Sequence, residues 1–93
     1  MSIVRIVPPL SFEVFKNVQH IKDILPNTLR SLGIKTFGFN SAEEEYWFKT
    51  NKIQVNIKCF NIGVEYTKIL LTLYIGTEYE LQKIFRDLSC KLN

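Results

Sequence analysis

A chain of 93 residues is the size of one domain and supports one core, not two. Its hydrophobic fraction of 46% and charged fraction of 23% exclude disordered and fibrous chains. A net charge of +3 admits nucleic acid or an anionic surface as a partner without singling either out, since the lysines are scattered along the chain.

The opening "MSIVRIVPPL" is too short and too polar-flanked for a signal peptide, and Pro8-Pro9 interrupts its apolar run. The longest strongly apolar stretch, residues 69–75, is far shorter than the roughly 20 residues a membrane-spanning helix needs. The expectation is a cytoplasmic domain with no membrane insertion. Its cysteines, Cys59 and Cys90, are then free thiols in small hydrophobic positions, buried and inert.

In chain order, "SIVRIV" alternates and predicts a β-strand stopped by Pro8-Pro9. Ser11 then suits a helix cap, with Glu13 in the first turn where its charge favours the helix dipole. Phe12, Phe15 and Val18, and then Val14, Val18, Ile21 and Leu25, recur at helical spacing. Pro26 cannot donate to the carbonyl four residues back, which predicts a helix end at Leu25.

Beyond Leu32 the period changes to two. "GIKTFGFN", "EEEYWFKT" and "KIQVNIKCF" predict three strands, with turns at "NSAEE" and "TNK". "YTKILLTLYI" is the strongest strand, with Ile69, Leu71, Leu73 and Ile75 on one face. Gly76 ends it, and Thr77 with Glu80 forms a capping box for a last helix whose buried stripe is Leu81, Ile84, Phe85, Leu88 and Leu92. The predicted fold is α+β, in the order β-α-β-β-β-β-α. An antiparallel sheet of about five strands is covered on one side by helices.

This order resembles the START/polyketide-cyclase-like helix-grip superfamily: a first strand, paired short helices ending near a proline, a strand meander and a long C-terminal helix. Val14-Phe15, Asn17 and Leu25-Pro26 can be laid on its helix-break-helix segment. The resemblance implies two short helices with a bend between Asn17 and His20, and an apolar cavity between the sheet and the last helix. The matching surface here is Val55, Ile57, Leu71, Leu73, Leu81, Ile84, Phe85 and Leu88. In a chain this small, close packing favours a filled core over a cavity at those positions.

Catalytic and metal chemistry find little support. His20, the only histidine, has Asp23 three residues on but no nucleophile placed beside it, and a metal site needs three or four convergent ligands. The cysteines have 30 residues between them and no C-x-x-C half. Glu43, Glu44 and Glu45 read as a solvated hairpin end. The four glycines are isolated and form no phosphate loop, so no cofactor is implied. "KTFGF" is locally similar to the aromatic-glycine strands of RNA-binding sheets, without their partner motif or element order.

The aromatic side chains exceed what one core face holds. Phe60, Leu70 and Tyr74 fall opposite the core face and are the candidate interface. The leading expectation is a non-enzymatic domain with an apolar face or small cavity, which binds a hydrophobic small molecule or forms a homodimer. The alternative is a nucleic-acid-binding module that uses basic and aromatic side chains on the sheet. An enzyme ranks third.

Overall fold

The computed structural model of the protein describes residues 7–93. The elements are β1 (Leu10–Val14), α1 (Val18–Ser31), β2 (Thr36–Asn40), β3 (Glu45–Lys49), β4 (Gln54–Gly63), β5 (Tyr66–Ile75) and α2 (Glu78–Leu92). The fold is α+β in the expected order, with one five-stranded antiparallel sheet arranged β1-β5-β4-β3-β2. The predicted strand at "SIVRIV" lies, but for Val7, outside the described residues.

The first strand corrects the sequence reading. Leu10, Phe12 and Val14 alternate with Ser11 and Glu13, and this period of two prevails over the helical spacing of Phe12, Phe15 and Val18. Ser11 is therefore a strand residue and caps nothing. The strand pairs with β5 in the register Leu10↔Leu71, Phe12↔Ile69 and Val14↔Thr67. Without it, the ten-residue β5 would present an unpaired backbone edge. The helix cap falls instead on Asn17, whose Oδ1 accepts from the Gln19 amide at 2.8 Å.

The second correction concerns Pro26. It lies inside one continuous helix, α1, which runs on to Ser31; there are not two short helices, and regular helix does not stop at Leu25. The buried stripe Ile21, Leu25, Leu29 continues across the proline at i+4 spacing, so docking against the sheet offsets the lost helical bond. The carbonyl that proline deprives of its partner belongs to Lys22, four residues back. That oxygen accepts the Tyr46 hydroxyl from β3 at 3.1 Å. Thus one missing helical bond becomes a tie between α1 and the sheet. The helix ends where Gly33 takes a φ of +81°, and the Ile34 amide bonds back to the Leu29 carbonyl at 3.1 Å, the closing bond of a Schellman-type stop.

The residues that carry the helix-grip resemblance accordingly occupy other positions. Val14 ends a strand, Phe15 stands at a bend, and Leu25-Pro26 is mid-helix.

Helix α2 is capped as predicted. Thr77 Oγ1 accepts from the Glu80 amide at 3.3 Å. Leu81, Leu88 and Leu92 are fully buried, while Ile84 and Phe85 pack at the margin of the core. Phe85 meets Phe12 of β1 edge-to-face, with ring centroids 5.4 Å apart. Both helices cover the same face of the sheet, and the core between them is Val14, Phe48, Val55, Ile57, Ile69 and Leu71 from the strands with Ile21, Leu25, Leu29, Leu81, Leu88 and Leu92 from the helices. A knot of polar ties holds the start of α1. Thr67 Oγ1 donates to the Lys16 carbonyl at 2.7 Å, Lys16 Nζ donates to the Leu92 carbonyl at 2.6 Å, and Asn17 Nδ2 donates to the Val64 carbonyl at 3.0 Å.

Candidate functional site

The eight positions proposed as cavity or core fall together. Val55, Ile57, Leu71, Leu81 and Leu88 are fully buried, and Leu73, Ile84 and Phe85 are half-buried against them. Phe85 packs against Phe12 of β1. It also lines an open groove of about 370 Å³ with Leu10, Gln82, Arg86 and Ser89.

The other side of the sheet carries the second set. Alternation along each strand sends Ser11 and Glu13 of β1, Lys68, Leu70, Thr72 and Tyr74 of β5, and Gln54, Asn56, Lys58 and Phe60 of β4 away from the helices. The same rule sends Glu45, Trp47 and Lys49 of β3 outward, with Thr36, Gly38 and Asn40 of β2. The candidate interface residues Phe60, Leu70 and Tyr74 therefore share this uncovered face, Tyr74 at 63% exposure.

Register places the side chains of this face relative to one another. Lys49 stands across from Gln54, and Trp47 across from Asn56. Two residues on along β4 comes Lys58, and two further Phe60, which faces Lys68 on β5. At about 6.8 Å per two residues, three lysines and two rings share one lane (Lys49, Trp47, Lys58, and Phe60 with Lys68 across from it), with Glu45 beside it on β3. The Lys58 ammonium lies 5.6 Å from the centre of the Phe60 ring, close enough for cation–π attraction.

In the sequence, Trp47 is one aromatic among many. Its place depends on Gly38, its partner on β2. A Cβ at Gly38 would come within 2.9 Å of Cε2, Cζ2 and Nε1 of the indole. The absence of a side chain there lets the ring lie over the neighbouring strand. Beside it, Asn40, Trp47, Gln54, Asn56 and Tyr74 line an open depression of about 320 Å³. Asn56 Nδ2 donates to Glu45 Oε2 at 2.7 Å. Asn40 Oδ1 accepts from the Ala42 amide at 3.1 Å and the Glu43 amide at 3.4 Å. The signal that could have found this group was "TFGF" opposite "EYWFK": a small residue directly across from the tryptophan.

The remaining candidates stay apart. His20 is exposed on α1, and Asp23 accepts from Gln19 Nε2 at 2.9 Å. Glu43 and Glu44 are exposed in the β2–β3 turn, and Glu45 begins β3. Cys59 is half-buried and Cys90 is exposed, contrary to the expectation of two buried thiols; both are free. Burial pushes the Cys59 thiol up to about 11, against a smaller lowering by Lys22, so it is protonated and unreactive near neutrality. Cys90 falls on the solvent face of α2 because the buried stripe passes through Leu88 and Leu92. Among the described residues no three His, Cys, Asp or Glu side chains gather as a metal site, and no helix is long and apolar enough to cross a membrane.

Compared with known families, characterised proteins and solved structures, the chain matches none.

Proposed function

We propose that this is a non-catalytic binding domain whose working surface is the uncovered face of the sheet, and that its partner is a single-stranded nucleic acid. The observation that carries this reading is the lane across β3, β4 and β5 in which Lys49, Lys58 and Lys68 lie among Trp47 and Phe60. Single strands are held by lysines that track the backbone and by rings on which successive bases stack. The amide side chains around Trp47 add hydrogen-bonding groups that suit base edges. This reading exchanges the order of the two sequence expectations, because the apolar positions read as cavity or core are occupied by packed side chains.

Fluorescence anisotropy with labelled single-stranded oligonucleotides, run as a salt series, tests it. Three lysines releasing counterions from a single strand predict a fall in log K of about 2 per decade of salt. The triple variant Lys49→Gln, Lys58→Gln, Lys68→Gln should lose most of that slope while staying folded. A protein that binds no oligonucleotide at 50 mM salt refutes the proposal.

A second reading, self-association, is favoured by a different observation. Phe15 and Val64 are 77% and 81% exposed, and Ile62 is 47% exposed, with Phe15 and Val64 flanking Asn17, which bonds the Val64 carbonyl. This end of the molecule adjoins the Phe60–Lys68 end of the lane and lies away from Trp47. Sedimentation velocity of wild type and Val64→Glu over a concentration series decides it: a dimer abolished by the substitution supports the reading, and a monomer throughout removes it.

A further inference from the structure

We infer that the depression beside Trp47 is a nucleobase pocket that favours a base with an exocyclic amine over thymine or uracil. This rests on the nucleic-acid reading above and deepens it from strand binding to base choice. Asn56 commits its Nδ2 to Glu45 Oε2 at 2.7 Å, so the atom it offers the depression is Oδ1, an acceptor. The carboxylate that fixes this orientation also accepts only. Glu45 and Asn40 are direct partners across β2 and β3, and Asn40 spends its Oδ1 on the turn amides of Ala42 and Glu43. Its Nδ2 is therefore a donor.

Against the indole of Trp47, the depression thus presents the Asn56 Oδ1 acceptor on one side and the Asn40 Nδ2 donor on the other. A base stacked there meets the Asn56 acceptor best with an amino group, which supplies N–H donors. A ring carbonyl at the same place points its lone pairs at Oδ1 and is disfavoured. Gln54, which carries both a donor and an acceptor, adapts to either base. Tyr74, at the far rim, is exposed and closes the depression on the β5 side.

Cytosine and uracil differ mainly by amine against carbonyl at one ring position, so short oligo(dC) and oligo(dU) at neutral pH form the cleanest comparison. Trp47 is the only tryptophan, and its fluorescence reports stacking directly. The expected result is quenching by both, with oligo(dC) bound roughly five- to tenfold more tightly, the size of one hydrogen bond. Glu45→Gln keeps a polar partner for Asn56 but removes the charge and frees both amides to pair in either sense. That variant should still quench and should lose the preference. Equal affinity of the wild type for the two oligomers, or a preference that survives Glu45→Gln, overturns the base pocket and leaves the strand-binding reading standing. Failure to bind either oligomer, or any other, overturns both.

Discussion

Replacing Tyr46 by Phe removes one oxygen atom, and the structure says what that oxygen does. Pro26 leaves the Lys22 carbonyl without its helical N–H, and Tyr46 supplies the missing donor at 3.1 Å. A buried acceptor stranded without a partner costs about 1–3 kcal/mol. Lys22 is half-buried, so water recovers part of this, and the expected loss is about 1–1.5 kcal/mol. The decisive comparison is the same substitution in a Pro26→Ala background. Alanine restores the N–H, the Lys22 carbonyl is satisfied within the helix, and Tyr46→Phe should then cost about 0.5 kcal/mol or less. Urea denaturation of the four proteins, with unchanged m-values, gives the coupling directly.

Burial, with smaller contributions from Cys59 and Asp23, raises the Tyr46 hydroxyl above its ordinary value. Its folded value thus exceeds its unfolded one, and its contribution is fully present below pH 10 and lost as pH rises through the folded value. The cycle can be run anywhere between pH 6 and 9 with the same result. Equal costs of Tyr46→Phe in the two backgrounds would refute the substitution of phenol for helical N–H, and with it the account of how α1 tolerates its proline.

Gly38→Ala should leave the fold intact at a cost of about 1 kcal/mol, but it must displace the indole, shift the emission of Trp47 and weaken oligonucleotide binding; unchanged emission would show that the ring does not rest on β2. Phe85→Ala should destabilise by about 2–3 kcal/mol, below the roughly 3–5 of a fully buried phenylalanine because the side chain is only half-buried, whereas Arg86→Ala should stay within about 0.5 kcal/mol; similar small losses for both would mean that α2 is not docked through Phe12. With a disulfide reagent at pH 8, Cys90 should react quickly and Cys59 only on unfolding, and Cys90→Ser should abolish the fast phase. Because the folded Cys59 thiol lies near 11 against 9.0 unfolded, its contribution is complete below pH 9 and lost between pH 9 and 11. The denaturation midpoint should fall across that window, and fall less in Cys59→Ala.

Most of the architecture was legible because long strands carry long patterns. "YTKILLTLYI" has five repeats of the period, and its predicted span coincides with β5. Thr77 and Glu80 likewise fix the start of α2, since a capping hydroxyl three residues before an acidic side chain has one structural meaning. The errors came where a short window fitted two periods. "LSFEV" is a five-residue alternation, yet Phe12, Phe15 and Val18 also stand at helical spacing, and only the need of β5 for a partner decides between them. Pro26 misled for a different reason. The local rule is sound, but Leu29 and Leu32 continue the stripe of Ile21 and Leu25, and a hydroxyl 20 residues further on repairs the broken bond. That repair is a tertiary fact, invisible to any window containing the proline alone.

The uncovered face shows the same division between what period and register reveal. Alternation alone assigned Phe60, Leu70 and Tyr74 away from the core, and they are there. It could not say that Trp47 would lie beside Asn56 with a lysine on either side, because that juxtaposition depends on the pairing of β3 with both of its neighbours. Shifting β3 by one residue against β4 would put Phe48 on the open face and Trp47 in the core. The indole could not then rest on Gly38. The buried fit of Phe48 among Val55 and Ile57 therefore fixes the lane on the opposite side of the sheet, so core packing and the proposed binding surface are two consequences of one register. A substitution that loosens Phe48, such as Phe48→Leu, should weaken oligonucleotide binding even though it touches no atom of the exposed face. Loss of binding should track loss of β3–β4 amide protection in hydrogen exchange; binding that survives when that protection is gone would detach the surface from the register and refute this coupling.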